Sequence, residues 1–200
     1  MPLAAETPTA EDLLDAFCDL RHERFAPAEF RVKWANEPWE RREAYALRRA
    51  VFCIEQGIFP GDDRDAVDDR AQLIVAAVCV AGMPEQVVGT VRIHRESEGD
   101  LPDLWYGSRL AVHPSFRRHS RLGVSLIRLA VGSAHALGCR HFRAHVQAQN
   151  AALFRSLHWR DLGDEALFGR PHVRMEADLA HYPAIHDPER GFATFSRRDR

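Results

Sequence analysis

Residues 110–123 read LAVHPSFRRHSRLG, and this stretch combines the features that decide the fold. An apolar strand ends at Val112, a short basic loop follows, and an amphipathic helix begins with Gly123 in its first turn. The first amide groups of a helix have no partner within the helix, and the helix dipole adds positive potential there. A pyrophosphate group fits such a position. The alternative is a solvated basic turn, and the residue pattern alone leaves both interpretations open.

Downstream of this stretch, hydrophobic periodicity predicts further regular structure. The helix at 121–137 has one apolar face and is closed by Gly138. A strand at 140–147 and a short helix at 150–157 follow, and the segments 159–168 and 172–177 are typical of a closing strand pair. From His181 onward prolines and charges predict a poorly ordered end.

Upstream, the pattern predicts two helices and four strands. A first amphipathic helix is predicted at 9–25, and alternating residues at 30–34 predict a half-exposed strand. Pro38 begins a long helix whose apolar stripe is Leu47, Val51, Ile54 and Ile58. An acidic loop then leads into strands at 73–80, 87–94 and 105–112, of which the first is apolar enough to be a buried central strand.

This alternation of helices and strands predicts an α/β or α+β fold in which helices flank a sheet. We expect one main domain at residues 29–180, an N-terminal helical extension at 1–28 and a C-terminal tail at 181–200. Lys and Arg total 27 and Asp and Glu total 29 among the 200 residues, a net charge of −2. That balance lacks the basic excess of a dedicated nucleic-acid binder.

Cysteine usage and hydropathy indicate the compartment. The four cysteines, Cys18, Cys53, Cys79 and Cys139, lie in apolar stretches and form no close pair, which predicts free thiols in a reducing compartment. No Cys/His spacing matches a zinc site, so we expect no metal. The first ten residues lack a basic signal-peptide region, and the longest apolar run, 73–83, is too short to span a bilayer. We therefore expect a cytoplasmic protein that does not bind membranes.

The loop motif resembles a known acyl-CoA signature. Val112-His113-Pro114, followed by Arg118 to Gly123, resembles the V-x-P and Q/R-x-x-G-x-G/A motif of the GNAT acyltransferases. Arg121 stands where the family has its middle glycine. The resemblance leaves two consequences of this departure open: altered packing of the loop around the pyrophosphate, or a direct contact of Arg121 with a phosphate.

Two further stretches are similar to the ElaA-like branch of the GNAT superfamily. The sequence LRRAVFCIEQ at 47–56 resembles the L-R-x-x-V-F-x-x-E-Q helix of that branch, and autoinducer synthases have a looser version of it. The segment PHVRM at 171–175 resembles the P-H-x-x-M motif near the end of proteins of that branch. Residues 146–159 are similar to a later family motif, with Phe154 where a tyrosine is common. The resemblance covers roughly residues 30–178.

The resemblance implies a mixed, mostly antiparallel sheet with two splayed central strands and acetyl-CoA as the acyl donor. The pantetheine arm would lie in the gap between the splayed strands, bound by backbone groups of Leu110, Ala111 and Val112 and by Asn150. The pyrophosphate would be held by backbone amides and cationic side chains of the loop and helix start. These expected donor-binding residues are Arg117, Arg118, His119, Ser120, Arg121, Leu122, Gly123 and Val124.

The attacking amine must lose a proton, so a base near neutral pKa is expected in the site. The candidates are Glu55, His145 and His172. Glu55 belongs to the matched helix motif but could equally form a surface salt bridge. His145 lies on the strand beside the splay, where a core histidine that already has a hydrogen-bond partner is the alternative. His172 belongs to the P-H motif, where stabilisation of a turn is the alternative.

Charged residues on two other elements offer acceptor contacts. Arg92 and His94 share a strand face and could bind an acidic acceptor, although a solvated face is the simpler interpretation. Asp68 and Asp69 could hold a cationic acceptor or keep a loop soluble.

The sequence therefore predicts an acyl-CoA-dependent N-acyltransferase, with acetyl as the favoured group and a metabolite or protein amine as acceptor. Two alternatives are an inactive acyl-CoA-binding accessory module and a long-chain enzyme similar to the autoinducer synthases. No nucleic-acid partner is expected, and the resemblance leaves a homodimer open.

Overall fold

The computed structural model describes residues 29–97, 101–117 and 121–196, and within these ranges eight strands form one sheet. The strands are β1 (Glu29–Trp34), β2 (Gln72–Val80), β3 (Met83–Arg95), β4 (Leu104–Val112), β5 (His141–Gln147), β6 (Trp159–Leu167), β7 (Arg170–Ala177) and β8 (Phe192–Phe195). Their order across the sheet is β6-β7-β5-β4-β3-β2-β1-β8. Neighbours are antiparallel except β4 and β5, which are parallel. The predicted fold class is confirmed.

Helices cover both faces of the sheet. The longest, α2 (Leu122–Ala136), packs its apolar side on one face against β3 and β4, and the short α3 (Ala151–Ser156) lies on the same core. The opposite face is covered by α1 (Pro38–Arg48). Because both faces are covered, β2 is buried along almost its whole length, as its continuous apolar run predicts.

The predicted long helix after Pro38 changes its winding in the middle. It begins with a capping box between Glu37 and Glu40 and continues from α1 directly into a seven-residue π-helix, Arg49–Glu55. The wider π winding shifts the following side chains around the helix axis. The predicted apolar stripe is therefore wrong at Ile54, which is 74% exposed, although Leu47 and Val51 are buried.

The sheet divides where its two parallel strands separate. β4 and β5 pair only between Leu104–Gly107 and His141–Ala144, and neither strand has a partner on that side beyond this ladder. A bulge in the β3–β4 pairing coincides with Arg109, whose φ is +56°. The bulge bends β4 away from β5. The splayed pair implied by the resemblance is thus present.

Residues 181–196 pack against the rest of the domain, which corrects the prediction of a poorly ordered end over this segment. The Tyr182 carbonyl contacts Nδ1 of His135 on α2 at 2.7 Å, and the backbone N–H of Ile185 donates to the Gly132 carbonyl at 2.9 Å. The chain then adds β8 to the edge of the sheet by pairing with β1. Long-range contacts of this kind carry no local sequence signal.

Several sequence-based expectations fall outside or only partly inside the described residues. The predicted helix at 9–25 and Cys18 lie outside them. Cys53, Cys79 and Cys139 are free thiols. Among the described residues, no helix is long and apolar enough to cross a membrane.

Candidate active site

A cavity of about 490 Å³ opens where β4 and β5 separate. It reaches both faces of the sheet, because its lining comes from the core under α2 and from the core under α1. The half on the α2 side is apolar and is lined by Leu110, Ile127, Val131, Phe142, Val146, Phe154 and Trp159. The half on the α1 side is mostly polar and is lined by Arg92, His94, Tyr106, Ser108, Arg109 and His145, with aromatic residues at its rim.

Three aromatic rings from adjacent strands stack along the polar half. The ring of His145 on β5 is parallel to that of Tyr106 on β4, with centroids 5.6 Å apart. Tyr106 in turn stacks on His94 of β3 at 5.9 Å. Each ring is restrained by its neighbour, so the orientation of His145 is defined by the sheet.

His145 is also paired with a carboxylate that the sequence did not indicate. Nδ1 of His145 contacts Oε1 of Glu165 on β6 in a short hydrogen bond. A carboxylate on one ring nitrogen fixes the tautomer and stabilises the protonated ring. Nε2 of His145 makes no hydrogen bond with any described residue and is the nitrogen left to bind a substrate. Glu165 was not predicted because it comes close to β5 only through two strand pairings, β6 with β7 and β7 with β5.

His94 differs from His145 in its surroundings. It is only 8% exposed, and its Nδ1 has no hydrogen-bond partner among the described residues. Burial lowers the pKa of His94, and the nearby positive charge of Arg92 lowers it further. The ring is therefore neutral at pH 7.

Beneath the polar half, three arginines and three aspartates form a partly buried ion-pair network without net charge, in which Asp65 is the exposed member. Arg48 binds Asp63 through Nε at 2.8 Å and Asp68 through Nη1 at 2.5 Å. The Arg92 guanidinium holds Asp65 at 2.6 Å and Asp68 at 2.7 Å. Arg109 completes the network by binding Asp63 at 2.9 Å and Asp65 at 3.1 Å.

The network corrects two of the simpler sequence interpretations. Arg92 and His94 do not form a solvated face, because both are buried. Asp68 does not serve to keep a loop soluble, because it is buried and its carboxylate is bound by two guanidinium groups, which hold its pKa well below the usual range despite burial. Its position also leaves it no free oxygen for a cationic acceptor, whereas Asp69 is exposed.

The other two candidate bases lie in different environments. Glu55 is outside the cavity lining, and its carboxylate is held by Arg117 in a two-point ion pair at 2.6 and 2.7 Å, which lowers the pKa of Glu55. This is the surface salt bridge that the sequence allowed. His172 lines the cavity and is buried, but its Nδ1 contacts the Arg170 carbonyl at 2.9 Å within the first residues of β7.

Two of the expected donor-binding residues lie in the cavity lining. Leu110 and Asn150 line it, Ala111 is buried, and the Val112 carbonyl accepts a hydrogen bond from Arg117 Nε at 2.8 Å. The start of α2 carries Arg121, Leu122, Gly123 and Val124, and no described side chain caps it. Among the described residues, a Cβ added to Gly123 would meet nothing within 4 Å. Residues 118–120 lie outside the described part of the chain.

Comparison with known proteins identifies the family. The family model described as N-acyl amino acid synthase FeeM matches residues 43–180. The chain belongs to the FeeM family. It is an acyltransferase of the GNAT superfamily, as the motifs predicted, and its fold is similar to that of ElaA. No curated protein matches the chain.

Solved structures agree with this assignment. A Lactobacillus plantarum protein assigned as an N-acetyltransferase is 25% identical, with a TM-score of 0.63 over 74% of this chain and 97% of that one. Escherichia coli ElaA is 20% identical, with a TM-score of 0.60 over 76% of this chain and 99% of its own. The NatC complex bound to Gag peptide and CoA is 13% identical, with a TM-score of 0.57 over 75% and 98%. The last two support the fold alone.

Proposed function

We propose that this FeeM-family acyltransferase moves an acyl group from acyl-CoA to the amine of an amino acid. One observation carries the proposal: a single cavity crosses the sheet at the splay, with an apolar half on the α2 side and a polar half lined by His145, which is paired with Glu165. A thioester entering from the α2 side and an amine entering from the α1 side would meet there. CoA in the NatC structure, on the same fold, and the description of the family as N-acyl amino acid synthases support the two substrates.

His145 is the base in this proposal. Its free Nε2 takes a proton from the ammonium of the acceptor, while Glu165 stabilises the imidazolium that forms. The neutral amine nitrogen then attacks the thioester carbonyl carbon, a C–N bond forms, the C–S bond breaks, and the proton that the nitrogen still has to lose passes to the departing sulfur. CoA leaves as a thiolate, which needs little acid help because thiol pKa values are about 8.5. A backbone N–H of residues 110–112 stabilises the oxyanion of the tetrahedral intermediate.

The acyl chain is the second part of the proposal. Acetyl is the donor that the sequence motifs favour. The apolar half of the cavity, which contains Phe142, Phe154 and Trp159, favours a longer chain, because apolar surface there would be covered by methylene groups. A series of acyl-CoA donors from acetyl to dodecanoyl, with a fixed acceptor, distinguishes the two. A rise in kcat/KM with chain length supports the longer donor, and a maximum at acetyl contradicts it.

The test of the base is a pair of substitutions followed by thiol release. His145→Ala should lower kcat/KM by about 10²- to 10⁴-fold, and Glu165→Gln should lower it by less and shift its pH dependence. Glu55→Gln is the matched control, because Glu55 lies outside the cavity, and it should leave the pH profile unchanged. An unaltered rate in His145→Ala contradicts the assignment.

Calorimetric titration with acyl-CoA and with free CoA separates the enzyme from an accessory module. Saturable binding together with thiol release in an amino-acid panel supports the proposal. Binding without release to any amine favours the accessory module instead.

A further inference from the structure

The tip of the β6–β7 hairpin has a conformation that its sequence disfavours. The two residues between the strands are Phe168 and Gly169, with φ of +52° and +68°. Turns with both central residues at positive φ favour Asn-Gly, because a bulky side chain is strained there. Phe168 is also 59% exposed, so burial of its ring in a core does not explain its presence.

The Phe168 ring makes one specific contact, with Phe59. The two rings meet edge to face with centroids 4.8 Å apart. The Arg109 guanidinium lies over the Phe59 ring, 4.3 Å from its centroid. Arg170, the next residue after the tip, donates through Nη2 to the Gln56 carbonyl in a short hydrogen bond. The hairpin tip is thereby held against the segment that follows the π-helix.

Both rings line the cavity on its polar side. Phe59 packs with the core under α1, on the face opposite α2. The donor is expected to enter beside the start of α2. Phe59 and Phe168 therefore lie on the side of the polar half that is away from the donor's path. A substrate that reaches His145 from the α1 side passes these rings.

We propose that Phe59 and Phe168 form the outer wall of the acceptor subsite and set the size of the amine that the enzyme accepts. The inference rests on the proposed function, since it assigns the polar half to the acceptor. Strain at Phe168 is consistent with it, because strained residues recur at ligand-binding positions. Loss of the Phe168 ring would enlarge the subsite on its solvent side without touching His145 or the charged network.

The test uses Phe168→Asn, because asparagine tolerates positive φ and the turn is kept while the ring is removed. Acyl transfer is measured with L-amino acids from glycine to tryptophan and one acyl-CoA. We expect the kcat/KM for tryptophan relative to glycine to rise about tenfold over that of the unmodified enzyme, a size typical of discrimination by an apolar pocket. Phe59→Leu should act in the same direction.

Phe195→Asn is the matched control, since Phe195 is a 65% exposed phenylalanine on β8, outside the cavity lining. It should leave the acceptor profile unchanged. Measuring the acyl-chain profile of each variant separates the two halves of the cavity. An unchanged acceptor profile in Phe168→Asn, or a change confined to the acyl-chain profile, overturns the inference while the proposed function stands. Absence of transfer to every amine by the unmodified enzyme overturns both.

Discussion

Arg48 is the residue on which the buried charges depend. Its side chain is 0% exposed, and it binds both Asp63 and Asp68. Arg48→Met should lower the free energy of unfolding by about 3–5 kcal/mol, because two buried carboxylates lose a partner. Urea unfolding at pH 7 measures this. Arg95→Ala, which removes an exposed ion pair with Asp103, is the control and should cost no more than about 1 kcal/mol. Equal effects of the two substitutions would contradict the argument.

His94 makes stability depend on pH in a stated direction. Its pKa is lowered in the folded chain from the ordinary 6.5, so below pH 6.5 the unfolded state binds the proton first. The contribution of His94 to the free energy of unfolding should therefore be complete above pH 6.5, and it should fall as the pH drops from 6.5 towards the folded-state pKa. His94→Asn should flatten this part of the curve. Denaturant unfolding at half-unit pH steps measures it, and identical slopes for the two proteins would refute the prediction.

At the residue scale, the sequence indicated candidate side chains but not the residues that these side chains contact. His145, Arg92 and His94 could be singled out because strand periodicity gives their faces. Glu165, Tyr106 and Asp63 could not, because each joins its partner through the register of strands or a loop distant in sequence. The networks that orient reactive side chains are long-range, and local patterns do not encode them.

At the scale of elements, the close packing of the C-terminal segment against β1 can be tested by substituting one glycine. Gly191 has a φ of +59°, and a Cβ there would lie 1.9 Å from the Val32 carbonyl oxygen. Gly191→Ala should lower the free energy of unfolding by more than the roughly 1–2 kcal/mol cost of left-handed backbone. Gly61→Ala is the matched control, with a φ of +79° and nothing within 4 Å. Thermal melts compare the two, and equal losses would mean that the segment does not pack tightly against β1.

Elements with long, regular patterns were predictable and irregular ones were not. α2 and β2 follow from continuous apolar stripes. The π-helix at Arg49–Glu55 was predicted as an ordinary helix, because its hydrogen bonds differ while its composition does not. β8 has only four residues and pairs with a strand about 160 positions earlier, so no local pattern indicates it.

For the whole molecule, donor binding should be visible as stability. At a concentration of acyl-CoA 100 times its Kd, the folded state should gain about 2.7 kcal/mol, and Tm should rise by several degrees. Gly123→Glu should cancel the rise, because a carboxylate would stand at the start of α2, where the phosphates are expected. The Tm of that variant without ligand is the control. A full ligand-induced rise in Gly123→Glu would exclude this part of the helix from the donor site.

The overall arrangement came from family resemblance more than from periodicity. Hydrophobic patterns indicated only a mixed α and β fold, whereas the motifs at 47–56 and 112–123 implied the splayed sheet. The bulge at Arg109 sets the point where β4 and β5 separate, and no sequence pattern indicated this bulge.

The short ladder between β4 and β5 has a mechanical consequence. The sheet consists of two parts, β6-β7-β5 and β4-β3-β2-β1-β8, joined along four residue pairs. At the far side of the gap, Gln56, which directly follows the π-helix, accepts hydrogen bonds from Gln147 on β5 and Arg170 on β7. Widening the gap therefore means breaking these two hydrogen bonds and the stack of Tyr106 on His145, while the ladders within each part of the sheet stay intact. The sheet would open as a hinge about the four-pair ladder.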